Sequence, residues 1–113
     1  METIPVRTFK FAVNIIELVS KLPRSFSGNA ISNQIVRSGT SIGANVEEAQ
    51  NSASKKEFIH GMTIALKEAR ETYYWLRLIE ESGTLSELSS LKSENLEIIK
   101  ILTSSVKKAK IKL

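Results

Sequence analysis

Between Phe58 and Ile79, seven residues fall on one helical seam. Phe58, Met62, Ala65, Ala69, Thr72, Leu76 and Ile79 alternate steps of four and three. This is the period of an α-helix buried along one side. Ser54-Lys55-Lys56-Glu57 stands in front as a capping box, in which hydroxyl and carboxylate each take a free amide of the first turn. Ser82-Gly83-Thr84 stands behind, with Gly83 placed for a left-handed cap. The signals predict a helix from Lys55 to Glu81, on the order of 40 Å long. A seam of that length has to be buried against other helices.

The rest of the chain supplies them. In QIVRSGTSIGANVEEAQ, from Gln34 to Gln50, Ile35, Ser38, Ile42, Val46 and Ala49 make one stripe. Gly39 and Gly43 lie within it, each costing roughly 1 kcal/mol in a helix interior relative to Ala, so another backbone is expected to approach there. This helix is predicted from about Asn29 to about Asn51, after the break PRSFSG. An earlier helix starts between Pro5 and Thr8, with Phe9, Ala12, Ile16 and Val19 on one stripe and Phe11, Ile15 and Leu22 on a second. A fourth, starting at Thr84 or Ser86, carries Leu88, Leu91, Asn95, Ile98, Leu102, Val106 and Ala109. Short connections predict an all-α, antiparallel up-down-up-down four-helix bundle, one domain over residues 1–113.

The third helix is apolar well beyond its seam, with Ile59, Leu66 and Tyr73 on one flank and Ile64, Trp75 and Leu78 on the other. A surface helix ordinarily shows one stripe little wider than 100°. A second subunit is the expected cover, which predicts a homo-oligomer.

Composition narrows the function. With no Cys there is no disulfide framework or thiolate nucleophile. No apolar run approaches a membrane span and no signal-peptide pattern opens the chain, so a cytoplasmic protein with no membrane partner is expected. Charge is uneven: residues 98–113 hold five Lys and no acid, although the whole chain is only +4. Lys100, Lys107, Lys108, Lys110 and Lys112 are the candidate phosphate contacts, and the five do not share one face. The competing reading is a solvated helix end that complements the macrodipole.

Glu57-x-x-His60 has the spacing of half a di-iron carboxylate site, but the single His leaves no second half. Gly39-x-x-x-Gly43 is followed by no Lys and preceded by no strand, unlike a phosphate loop. No catalytic residue, metal or cofactor is expected. Glu68 and Glu71 sit among apolar neighbours and suit Arg pairing at a helix contact better than acid–base work. Arg37 and Glu48 are about 16 Å apart along one helix and cannot pair with each other.

Two stretches resemble a known family. QIVRSGTSIGANVEEAQ and FIHGMTIALKEARETYYWLRLI, together with the opening FAVNIIELV, are similar to the bacterial four-helix-bundle family first noticed in intervening sequences of 23S rRNA genes. The most specific runs are Arg37 to Asn45 and Ile64 to Thr72; Glu47 departs from the pattern, since many relatives carry a basic residue there. The resemblance implies a bundle that assembles into a homopentameric ring and brings no catalytic residues. It also implies structural or interface roles for the matching Arg37, Ser41, Asn45, Glu48, Glu68 and Glu71. A related barrel-shaped protein is the accessory subunit of reverse transcriptases in diversity-generating retroelements, where a basic surface engages RNA and the polymerase. Two readings follow. One is a non-enzymatic oligomeric scaffold binding structured RNA or an RNA-handling protein. The other is an assembly protein of a mobile or intervening element with no direct nucleic-acid role.

Overall fold

A computed structural model describes residues 2–111, the side chain of Phe26 excepted, and contains four helices and no strand among them. The helices are α1 (Ile4–Val19), α2 (Phe26–Gln50), α3 (Lys55–Glu81) and α4 (Ser89–Ile111). Together they measure 47 × 22 × 20 Å.

α3 has the bounds that its caps predict. The Ser54 hydroxyl accepts the Glu57 amide at 3.1 Å, and Gly83 takes φ +75°. The Glu57 carboxylate meets the Ser54 hydroxyl at 3.4 Å. α1 begins slightly early, at Ile4, with Pro5 in a first turn that needs no amide from it. α2 begins three residues before Asn29, because Ser25 caps it by accepting the Gly28 amide at 3.1 Å.

α4 starts later than Thr84 or Ser86, at Ser89. Glu87 adopts a left-handed φ of 64°, which no helix can pass through, and the turn sinks Leu88 into the core while half-burying Leu85.

The predicted seams of α2, α3 and α4 form the core, with Ile35, Ile42, Val46, Ala65, Ala69, Leu76, Ile79, Ile98 and Leu102 all buried. Gly39 and Gly43 of α2 face α1. A Cβ at Gly39 would stand 3.0 Å from Ile15, and one at Gly43 would stand 3.3 Å from the backbone of Thr8. The close approach read from the sequence is therefore that of α1. α2 packs most extensively on α3, then on α1; α3 and α4 pack similarly, and α1 touches α4 only lightly.

Cross-helix pairs fix the register. Thr8 lies by Gly43 and Ile15 by Gly39; Ala49 lies by Gly61, and the Ser38 and Thr72 hydroxyls are 2.9 Å apart. Arg7 and Glu94 join α1 to α4, at 2.7 and 3.0 Å, and raise the guanidinium pKa through those hydrogen bonds.

Of the two predicted stripes of α1, one turns inward. Its second stripe, extended to Thr8 and Leu18, is buried, whereas Phe9 and Ile16 of the first are 61% and 56% exposed. The uncovered apolar surface also moves. On α3, Leu66 is buried and Ile59, Ile64, Tyr73 and Trp75 are partly covered within the chain, leaving Tyr74 and Leu78 at the surface. The larger bare face belongs to α1.

Candidate functional site

Two polar regions emerge from the packing. The first runs along the outer side of α2 and α3. Arg37, half exposed on α2, reaches across to α3, where Nη1 donates to Glu68 at 3.0 Å and Nη2 donates to Glu71. The indole of Trp75, one turn on, donates to the same Glu71 oxygen at 3.0 Å. Glu68 is the most enclosed member, with its side chain 12% exposed. One guanidinium thereby ties together two carboxylates at i, i+3, a task for which its planar fork is suited.

The remaining motif residues sit below this cluster. The Ser41 hydroxyl donates to the Arg37 carbonyl at 2.5 Å, and Asn45 Nδ2 donates to the Ser41 carbonyl at 2.8 Å. Both bonds stay within α2. Asn45 and the exposed Glu48 line a cleft of about 680 Å³ between the end of α2 and the start of α3. Ala49, Gly61 and Ile64 give it an apolar floor, with Lys56, Glu57 and His60 around the rim. The structure thus brings Arg37, Glu68 and Glu71 together and leaves Ser41, Asn45 and Glu48 outside their network. Among the described residues no group of three or more His, Cys, Asp or Glu could hold a metal ion.

The second region is the C-terminal half of α4. Lys100, Lys107 and Lys108 line a shallow cleft of about 440 Å³ with Ile99, Thr103, Ser104 and Ile111. Lys100 lies 3.6 Å from Glu97, whereas Lys107 and Lys108 are exposed. Lys110 is exposed in the last turn and does not line the cleft, and Lys112 lies outside the described residues. The apolar residues between the lysines were not anticipated; the i, i+4, i+8 and i+12 spacing of Ile99, Thr103, Lys107 and Ile111 was the available signal.

No described helix is long and apolar enough to cross a membrane. Four helices around one apolar core, with surface clusters of charge, define a helical-bundle protein. The chain belongs to the 23S rRNA-intervening sequence protein family, whose model matches residues 4–104. It is similar to a crystal structure from Bacteroides thetaiotaomicron VPI-5482, a protein of unknown function from the S23 ribosomal protein family. The two are 39% identical with a TM-score of 0.87, over 93% of this chain and 99% of that one. No curated protein matches the chain.

Proposed function

We propose that this chain is a non-enzymatic cytoplasmic protein whose four helices run antiparallel, up-down-up-down, and assemble as a homopentameric ring that binds structured RNA through a repeated basic surface. The falling register, in which Thr8 and Ile15 meet Gly43 and Gly39, supports the opposed sense of neighbouring helices. The bare apolar face of α1 supports self-association. The observation that carries the RNA reading is the α4 cleft, where Lys100, Lys107 and Lys108 converge on one side of a helix. Repetition around a ring multiplies such weak contacts. The family's association with 23S rRNA intervening sequences points the same way.

The second reading, an assembly protein with no direct nucleic-acid role, draws on Lys100 being already engaged by Glu97. A salt titration separates the two. Phosphate contacts release counterions, so log K should fall linearly with log salt, by roughly 0.7–0.9 per phosphate neutralised. Replacing Lys107, Lys108, Lys110 and Lys112 with Gln should flatten that slope and leave helical content and assembly intact. The loss should be similar for unrelated RNA sequences, since phosphate contacts position without specifying. Binding that is undetectable at low salt, or unchanged in the Gln variant, overturns the lysine mechanism and leaves a protein partner in its place.

A further inference from the structure

The outward face of α3 carries a line of cations that the chain itself leaves unanswered. We propose that this line binds single-stranded RNA, with Lys67, Arg70 and Arg77 on the phosphates and Tyr74 stacked on a base. The proposal rests on the RNA reading above and adds a contact surface on a different helix from the α4 cleft.

Lys67, Arg70, Tyr74 and Arg77 follow one another in steps of three, four and three, so they share one line along the helix. All four are exposed. None of the three cations makes an ion pair among the described residues. The neighbouring acids of α3 are turned aside. Glu68 and Glu71 reach toward α2, where Arg37 holds both, and Glu80 meets Lys92 of α4 at 2.6 Å. With Arg37 counted, the span from Lys67 to Arg77 holds four cations to two carboxylates. Beyond that span the excess ends, since Lys56 and His60 share a cleft rim with Glu48 and Glu57, and Glu81 closes the other end.

A solvated helix face ordinarily pairs its cations with acids one turn away. The acid one turn beyond Arg77 is Glu81, yet Arg77 lies over the Tyr73 and Tyr74 rings, its guanidinium carbon 6.0 Å from each centroid. Trp75 meets the Tyr74 ring edge to face, with centroids 5.1 Å apart. Tyr74 is therefore held in place and still 50% exposed, between two arginines. A fixed, half-bare ring on a cationic line is what successive bases stack on.

The ring also selects the partner. A duplex would answer the charges but keeps its bases stacked on one another, and an acidic peptide would use the cations alone. Lys67 and Arg77 stand about 15 Å apart along the helix, the length of on the order of four stacked nucleotides.

The test titrates the full chain with a short labelled oligouridylate and with an RNA duplex of the same length, read by fluorescence anisotropy at several salt concentrations. The single strand should bind more tightly than the duplex. Tyr74→Leu should weaken the single strand about fivefold or more without altering its salt slope, because no charge is lost. Tyr74→Phe, which keeps the ring, should bind like the unsubstituted chain. Arg70→Gln with Arg77→Gln should lower the slope by about 1.4, at roughly 0.7 per cation on a single strand. That double variant carries the test by itself should circular dichroism show that Tyr74→Leu costs helix. Equal binding of strand and duplex, full affinity in a folded Tyr74→Leu chain, or an unchanged slope in the double variant overturns this surface. Should Lys107→Gln with Lys108→Gln then still lower the slope, the RNA reading stands without it. Binding of neither RNA at low salt overturns both.

Discussion

Asn95 is fully buried on α4, where Nδ2 donates to the Ala69 carbonyl at 3.0 Å and Oδ1 meets no partner among the described residues. A buried acceptor without a donor costs about 1–3 kcal/mol, as much as the bond on its other side returns. The Ala69 carbonyl lies inside α3, so it keeps its helical partner when Asn95 is removed. Leu has nearly the same length and branching and belongs on this seam between Leu91 and Ile98. Asn95→Leu should therefore raise the urea midpoint, adding about 1 kcal/mol. A lower midpoint would show that the amide contributes more than its one visible bond. From sequence, Asn95 reads as a seam position, since its spacing places it there. Its unpaired oxygen is invisible at that level, because satisfaction depends on what α3 offers across the contact. Arg37 shows the same divide. That it needs a partner outside its own helix follows from helix geometry, whereas the convergence of Glu68 and Glu71 on it requires the register of α2 against α3.

At the scale of elements, legibility follows how local the signals are. α3 could be read to its ends because a capping box and a left-handed glycine bound a single unbroken seam. α4 could not, although Thr84 and Ser86 look like caps, because two leucines nearby compete for the core. Leu88 goes in fully, and the chain bends at Glu87 to let it. α1 could not be oriented for a different reason: both of its stripes are apolar, and which one is buried depends on where its neighbours pack, α2 against Thr8 and Ile15 and α4 against Arg7. The Glu87 bend supplies a test. A side chain in the left-handed region costs roughly 1 kcal/mol that glycine avoids. Glu87 is exposed and makes no ion pair among the described residues. Glu87→Gly should accordingly raise the melting temperature by a few degrees despite adding a flexible residue, corresponding to about 0.5–1 kcal/mol. If Glu87→Ala did the same, relief of the left-handed strain would not be the cause.

The whole molecule is set by an imbalance between a well-filled core and a helix with too much apolar surface. α2 and α3 are locked by Arg37, by the buried Ser38–Thr72 pair and by the tight step of Gly61 against Ala49. α1 is held on its inner side by Gly39 and Gly43 and shows Val6, Phe9, Val13 and Ile16 to the outside. Covering such a face couples folding to association, and that coupling can be measured without knowing any ligand. When five chains unfold from one assembly, each gains four-fifths of RT ln 10 for every tenfold rise in concentration, about 1 kcal/mol. For a domain of this size that amounts to about 4–8 °C in melting temperature. Thermal unfolding at concentrations spanning two decades should show this slope, and Phe9→Glu should flatten it while leaving the dilute limit nearly unchanged. The flattening identifies the face, since a charge at an exposed monomer site should alter stability by no more than about 0.5 kcal/mol. A melting temperature independent of concentration would mean that α1 stays bare in solution, and the ring would have to be abandoned.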